Sequence, residues 1–309
     1  MTLPAPAPTA APDSHRWTSW NLHLASNAQS LLDRVVTEVV GPVAGSHPWF
    51  FIRYWQGGPH VRLRMADLDE AALERVEDEL TRRLGTAGRL AADEEPLSEA
   101  AYRADATRFA ASERGVDRNV QGLRAPGVHR AVYEPESERY GGAHLMPSTE
   151  ELFQLSSELV LALMPHISTP ASRSVIALRA TIAAAAALGD TREQAAFYAN
   201  STAAWRAWAA ESGCPPEQID ALCRVEGGTA PTRTTDPEQH GPFQGWHTAL
   251  AGLAGEISRT TPVHPGQILF SHVHMFHNRL GRSLFDELRT YAWLAHHFPA
   301  AADGSGDAG

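Results

Sequence analysis

Residues 49–65 read WFFIRYWQGGPHVRLRM, and the fold follows from this stretch. Residues 49–55 are rich in aromatic and β-branched side chains, the composition of a strand on a half-buried pleated surface. Gly57, Gly58 and Pro59 then interrupt the run, because adjacent glycines and a proline favour a turn over a continuing ladder. Past the turn, Val61, Leu63 and Met65 alternate with His60, Arg62 and Arg64. Side chains in a strand point to opposite faces with a period of two, so the first set lies on one face and the second on the other. The stretch predicts two strands joined by a Gly-Gly-Pro turn.

Working outward, residues 17–24 (WTSWNLHL) alternate like a strand. Residues 28–40 place Leu31, Leu32, Val35, Val36, Val39 and Val40 at helical spacing, with Ser26 or Asn27 as the cap. After the hairpin, residues 69–84 form an amphipathic pattern opened by acidic residues and closed at Gly85, as the helix dipole and helix-end geometry favour. Residues 128–133 supply a fourth strand. The order β-α-β-β-α-β is ferredoxin-like, an antiparallel sheet with helices on one face. Residues 101–126 are polar, with a helix expected over 100–112.

Beyond Gly141 and Gly142 the character changes. Helical spacing runs through residues 149–164, 172–188, 192–212 and 217–225. A loop follows at 227–239, and then helices at 241–259, 265–280 and 283–297. The expected class is α+β: a ferredoxin-like subdomain over 17–146 and a helical bundle over 147–299, flanked by disordered segments 1–16 and 300–309. There is no internal repeat.

The composition narrows the function. The 309-residue chain has a formal net charge of -10 and no run of basic residues. That argues against a nucleic-acid partner, which demands a basic surface, but it leaves room for a small basic pocket. Cys214 and Cys223 are too few for a disulfide framework and read as packing residues. The N-terminus has neither the basic start nor the apolar core of a signal peptide, and no apolar run is long enough to span a bilayer. The expectation is a cytoplasmic protein with no membrane association; a homodimer is left open.

Three segments carry chemistry. Arg62 and Arg64, on the same face as His60, make a fork for a carboxylate through charge-assisted hydrogen bonds; a merely solvated strand face is the other reading. In residues 271–281 (SHVHMFHNRLG), a helix places His274, His277 and Asn278 on one face and turns His272 elsewhere. No HExxH pattern or cysteine pair supports a metal there. A single histidine serving as general acid or base fits better. In residues 133–142 (YEPESERYGG), Arg139 either lines the same pocket or pairs with nearby acids in solvent, and both readings stand. Trp205 and Trp208 are a packing stripe. Glycine-rich phosphate loops and nucleophile elbows are absent.

Taken in order, the three segments resemble the thiopeptide-type bacteriocin biosynthesis domain, which also forms the C-terminal part of lantibiotic dehydratases. The resemblance covers about residues 17–298 and includes an acidic helix with Glu287 after the third segment; it implies a split, stand-alone member. In that family the domain removes the α-proton of a glutamylated Ser or Thr and expels glutamate, leaving dehydroalanine or dehydrobutyrine. It implies that Arg62 and Arg64 hold the glutamyl group and that His274 transfers the proton, without metal or organic cofactor. His60, Tyr133, Arg139, Ser271, His277 and Asn278 are then the expected substrate-binding residues. The implied partners are a ribosomal precursor peptide, leader plus core, and a separate glutamylating protein. Where many full-length dehydratases carry an arginine, this chain has Pro135, with Arg139 nearby. The same family includes thiopeptide pyridine synthases, which join two dehydroalanines in a formal [4+2] cycloaddition and release the leader; Tyr133, Ser271 and His277 would suit that site. A non-catalytic leader-peptide-binding partner is the third reading. Elimination is favoured, because a charged clamp is costly to keep without an anionic ligand.

Overall fold

The hairpin forms where its periodicity places it. In the computed structural model, which describes residues 15–45, 47–112, 120–225, 227 and 237–299, β2 (Trp49–Tyr54) pairs antiparallel with β3 (His60–Ala66). Trp49 stands opposite Met65, and Tyr54 opposite His60. Gly57 and Gly58 make the turn at φ of 80° and 101°, a region costly for any residue with a Cβ. A Cβ on Gly58 would also come within 2.6 Å of the Leu123 side chain.

On the far side of β3 lies β1 (Trp17–His23), followed by β4 (Gly127–Ala131), giving the order β2-β3-β1-β4 with every pairing antiparallel. This is the expected α+β arrangement with a ferredoxin-like strand order. One sheet face presents Trp20, Leu22, Phe51, Val61, Leu63 and Met65, all buried. It is covered by α1 (Gln29–Val35), the π-helical turn Val36–Val40, α2 (Gly41–Ala44) and α3 (Glu70–Ala87). Burying side chains of this size contributes about 1.5–3 kcal/mol each, and the opposite, polar face is left for other work.

Several boundaries differ from expectation. Helix α3 passes through Gly85 to Ala87, because Leu84 and Ala87 are both buried and their packing outweighs the helix cost of one glycine. Ala28 occupies the cap position of α1, with Ser26 Oγ accepting from its N–H at 3.2 Å. Strand β4 ends at Ala131, two residues early. The helix expected over 100–112 is present as α4 (Glu99–Ser112). Segments 1–14 and 300–309 and most of the loop expected at 227–239 lie outside the described residues.

The chain then continues as α5 (Met146–Leu163), α6 (Pro170–Ala186), α7 (Thr191–Glu211), α8 (Pro216–Cys223), α9 (Gln244–Thr260), α10 (Pro265–Leu280) and α11 (Leu284–His297). Helix α10 starts on a proline and stops at left-handed Gly281; α11 starts on a Ser283–Asp286 capping box. Helices α5 and α10 close the open edge of β2. Asn278 Oδ1 accepts from the Arg53 N–H at 2.8 Å, its Nδ2 donates to the Arg53 carbonyl at 2.9 Å, and Ser157 Oγ accepts from the Phe51 N–H at 3.2 Å. Side-chain groups thus take the place of a fifth strand, which satisfies an edge that would otherwise be unpaired. One apolar core runs from Trp20 in the sheet to Phe298 after the last helix. Among the described residues, no helix is long and apolar enough to cross a membrane.

Candidate functional site

The polar face of the sheet supplies the floor. His60 is buried; its Nδ1 pairs with the Gly58 carbonyl at 2.8 Å, and its Nε2 accepts from Arg62 Nε at 3.2 Å. Burial pushes the His60 ring down to about 3, so it is neutral and fixes Arg62 by accepting from it. The Arg62 guanidinium lies 3.6 Å above the centre of the Tyr54 ring, a stacked cation–π arrangement.

Arg64 is only 8% exposed. Its guanidinium sits 4.9 Å from the Tyr133 ring centre and 5.3 Å from that of Phe50, and its Nε has no hydrogen-bond partner. Burial first, and neighbouring Arg62 second, lower its pKa to about 10.

A fourth guanidinium that the sequence reading did not single out completes the group. Arg279, near the end of α10, is fully buried. Its Nε donates to Ser157 Oγ at 2.9 Å and its plane lies 5.2 Å from the Phe153 ring centre, but Nη1 and Nη2 have no partner. Burial, helped by the field of Arg64, lowers its pKa to about 9. Both arginines therefore stay charged at neutral pH. Among the described residues, no carboxylate is bonded to either.

The segment after β4 joins this floor to α10. Arg139 Nε donates to Ser271 Oγ at 3.3 Å, and its Nη1 pairs with Glu136 at 3.1 Å. Arg139 thus bonds an acid and also reaches α10. Glu136 also acts electrostatically on Arg64. Gly141 and Gly142 make the close approach feasible: a Cβ on Gly141, at φ of 86°, would meet Ile268 of α10 at 2.7 Å and Leu145 at 2.8 Å. The Tyr133 hydroxyl donates to Glu150 Oε1 at 2.9 Å, while Glu150 Oε2 accepts from Trp17 at 2.8 Å. Burial raises the pKa of both Tyr133 and Glu150.

On α10, Ser271 and His274 lie one turn apart. His274 Nδ1 is 2.8 Å from Oε1 of Glu287, which projects from α11 and is fully buried. The ring rests 5.3 Å from Trp205. Arg139 is among the charges that act on Glu287, which ties the histidine pair to the segment bordering Arg64.

Two expected substrate-binding residues are placed elsewhere. His277 is fully buried against α6, with Nε2 2.9 Å from Thr181 Oγ1, and burial lowers its pKa to about 4. Asn278 is engaged by the Arg53 backbone. His272, which helical geometry turns away from the face of His274, His277 and Asn278, is buried against Tyr140 and Phe153, and burial, with the charges of Arg279 and Arg139, lowers its pKa to about 3. Arg279 follows His272 by seven residues, two helical turns, so the face containing both was accessible to the same geometry.

The site is thus a cluster of guanidiniums in a chain that contains no lysine and has a formal net charge of -10. Its nearby carboxyls are already engaged: Glu136 by Arg139, Glu150 by Tyr133 and Trp17, Glu287 by His274. Among the described residues there is no group of side chains suited to hold a metal.

Comparison with known proteins identifies the family and the fold. The model of the lantibiotic biosynthesis dehydratase C-terminal family matches residues 17–298. The chain belongs to that family. Its fold is shared with TbtD, the pyridine synthase of thiomuracin biosynthesis, at a TM-score of 0.65 and 17% identity over 91% of this chain and 99% of that one. The tRNA-dependent lantibiotic dehydratase MibB from Microbispora sp. 107891 matches at a TM-score of 0.48 and 19% identity, over 96% of this chain and 28% of that one. TsrL matches at 0.49 and 15%, over 92% of this chain and 95% of the other. No curated protein matches the chain.

Proposed function

We propose that this protein is a glutamate-eliminating lyase acting on a glutamylated ribosomal precursor peptide. The observation that carries the reading is the pair of buried guanidiniums, Arg64 and Arg279, that no carboxylate of the described protein bonds. A buried charge without a counter-ion is costly; a substrate carboxylate that enters beside them removes that cost and is held strongly in low dielectric. Arg62, oriented by His60, forms the outer arm of the clamp.

The chemistry follows from charge placement. A base removes the α-proton of the esterified Ser or Thr, and His274 takes that role. The electron pair of the C–H bond becomes the Cα=Cβ double bond, the Cβ–O bond breaks, and glutamate leaves as a carboxylate. Negative charge grows on the departing group as that bond lengthens, so fixed cations stabilise the transition state more than the ground state. The separate glutamylating protein supplies the ester.

The same family likeness keeps cycloaddition as a competing chemistry, but two neutral dehydroalanines give buried arginines nothing to neutralise. Incubation with a precursor peptide carrying glutamyl esters decides between them. Wild-type protein should convert the ester to dehydroamino acid and free glutamate, and Arg64→Ala should leave glutamylated peptide. Equal conversion by both proteins rejects the clamp. Conversion of a bis-dehydroalanine peptide to a macrocycle and free leader, with no action on the ester, replaces lyase by cyclase.

A further inference from the structure

Glu287 is the one fully buried carboxylic residue of the described core, and its position is chemically specific. Oε1 lies 2.8 Å from His274 Nδ1, and Oε2 has no partner. Its carboxyl sits in the first turn of α11, Ser283 and Asp286 having already capped that helix, so helix capping does not account for it. The groups acting on it come from every side: His274 and His277 of α10, Arg282 from the turn after it, Asp286 and Tyr291 of α11, and Arg139 from the segment after β4. Among the described residues, His274 is its one close polar partner. Burial pushes the carboxyl up to about 8, with His277, Arg139 and Arg282 opposing that rise.

A carboxyl in this position fixes which ring nitrogen carries hydrogen. With Glu287 ionised, Nδ1 is the donor and Nε2 presents a lone pair. With Glu287 protonated, its O–H donates to Nδ1 and Nε2 carries the hydrogen. The two forms differ by one proton on the pair, and a buried pair that stores it avoids leaving an imidazolium in the core.

We propose that Glu287 is a positioning residue that sets the tautomer of His274 and takes up its Nδ1 proton when Nε2 gains one. The reaction starts from the ionised form of Glu287: the Cα–H bond breaks as an Nε2–H bond forms, and the Nδ1–H bond breaks as an Oε1–H bond forms. The Nε2–H form is then able to return its proton to solvent or to the leaving group, and Glu287 gives its own back to Nδ1. This step rests on the lyase reading for the identity of the carbon acid, while the coupling between Glu287 and His274 does not.

The experiment separates the two. Nitrogen-15 NMR of histidine-labelled protein, without peptide, follows the tautomer and titration of His274, assigned by its disappearance in His274→Gln. Glu287→Gln keeps the volume and one acceptor oxygen but removes the charge. The expected result is a His274 titration midpoint lower by about 1 pH unit or more, with kcat on glutamylated peptide down about tenfold or more and KM changed less than about twofold. Glu287→Asp should restore part of the midpoint shift, and it serves as the test should the Gln variant fail to fold. An unchanged titration curve and pH profile in both variants would overturn the proposal. A coupled titration in a wild-type protein that does not eliminate glutamate would sink the lyase reading and leave the pair standing.

Discussion

Arg53 with Arg173, and Arg64 with Arg279, are two pairs of buried or largely buried arginines in different company. Arg53 and Arg173 share Asp33, at 2.7 Å and 2.5 Å. They also donate to the last carbonyls of α10, Arg53 to Arg279 and Arg173 to Leu280. There the positive charge meets a carboxylate and the negative end of a helix. Arg64 and Arg279 meet aromatic rings and a serine hydroxyl instead. The first pair fastens α1, β2, α6 and α10 together. The second leaves cationic hydrogens in a low-dielectric site, bonded by no carboxylate among the described residues, and the proposed carboxylate seat rests on that difference.

That difference can be broken by mutation. The largest effect is expected for Asp33→Ala, which strands two largely buried cations: a loss of about 3–5 kcal/mol in chemical denaturation, with elimination per folded molecule kept. Removing Arg64 should do the reverse. Arg64→Ala should lower kcat/KM for glutamylated peptide about 10²–10³-fold, with the denaturation midpoint little changed. A matching loss of stability would merge the two pairs into one structural class. Asn278→Ala removes two hydrogen bonds to the β2 edge and should cost about 1–3 kcal/mol, with KM for peptide unaffected. A raised KM would return Asn278 to the substrate pocket.

A pH effect separates the regions as well. His23, His60, His272 and His277 have pKa values lowered by burial to about 4, 3, 3 and 4 from an ordinary 6.5. Depressed values mean that the unfolded chain binds protons first. Stability from these rings is thus present above pH 6.5 and is lost as pH falls towards about 4. Glu287, raised to about 8, has the opposite sign: its contribution is complete below the ordinary carboxyl value of 4.5 and fades as pH rises towards 8. Glu287→Gln should therefore remove a fall in stability that runs from about pH 4.5 to pH 8, measured by thermal melting, and leave the pH dependence below 4.5 unchanged.

The sheet was legible because strand periodicity is local. The alternation of His60, Arg62 and Arg64 with Val61, Leu63 and Met65 divides the faces without knowledge of any partner. The end of β4 and the passage of α3 through Gly85 were less legible, since packing of Leu84 and Ala87 set the latter. The site was legible in part. Arg62, Arg64 and His60 follow from the strand, and Arg139 and Ser271 do meet across the two segments. Arg279 is not distinctive in the sequence, because an arginine in the last turn of a helix is the ordinary complement to its dipole; Phe153 and Ser157, more than a hundred residues earlier, are among the groups that enclose it. His277 and Asn278 lie close to His274 on a helical projection, yet α6 and β2 pack against that side and claim them.

Whether Arg64 and Arg279 seat a carboxylate is tested most directly by protection with the product. Free glutamate titrated into the protein should raise its melting temperature in a saturable manner, because only the folded state offers the seat. The rise should vanish in Arg64→Ala and in Arg279→Met, while both variants melt near the wild-type temperature without ligand. A rise of equal size in all three proteins, or none in the wild type up to concentrations at which succinate and chloride controls begin to act, would contradict it.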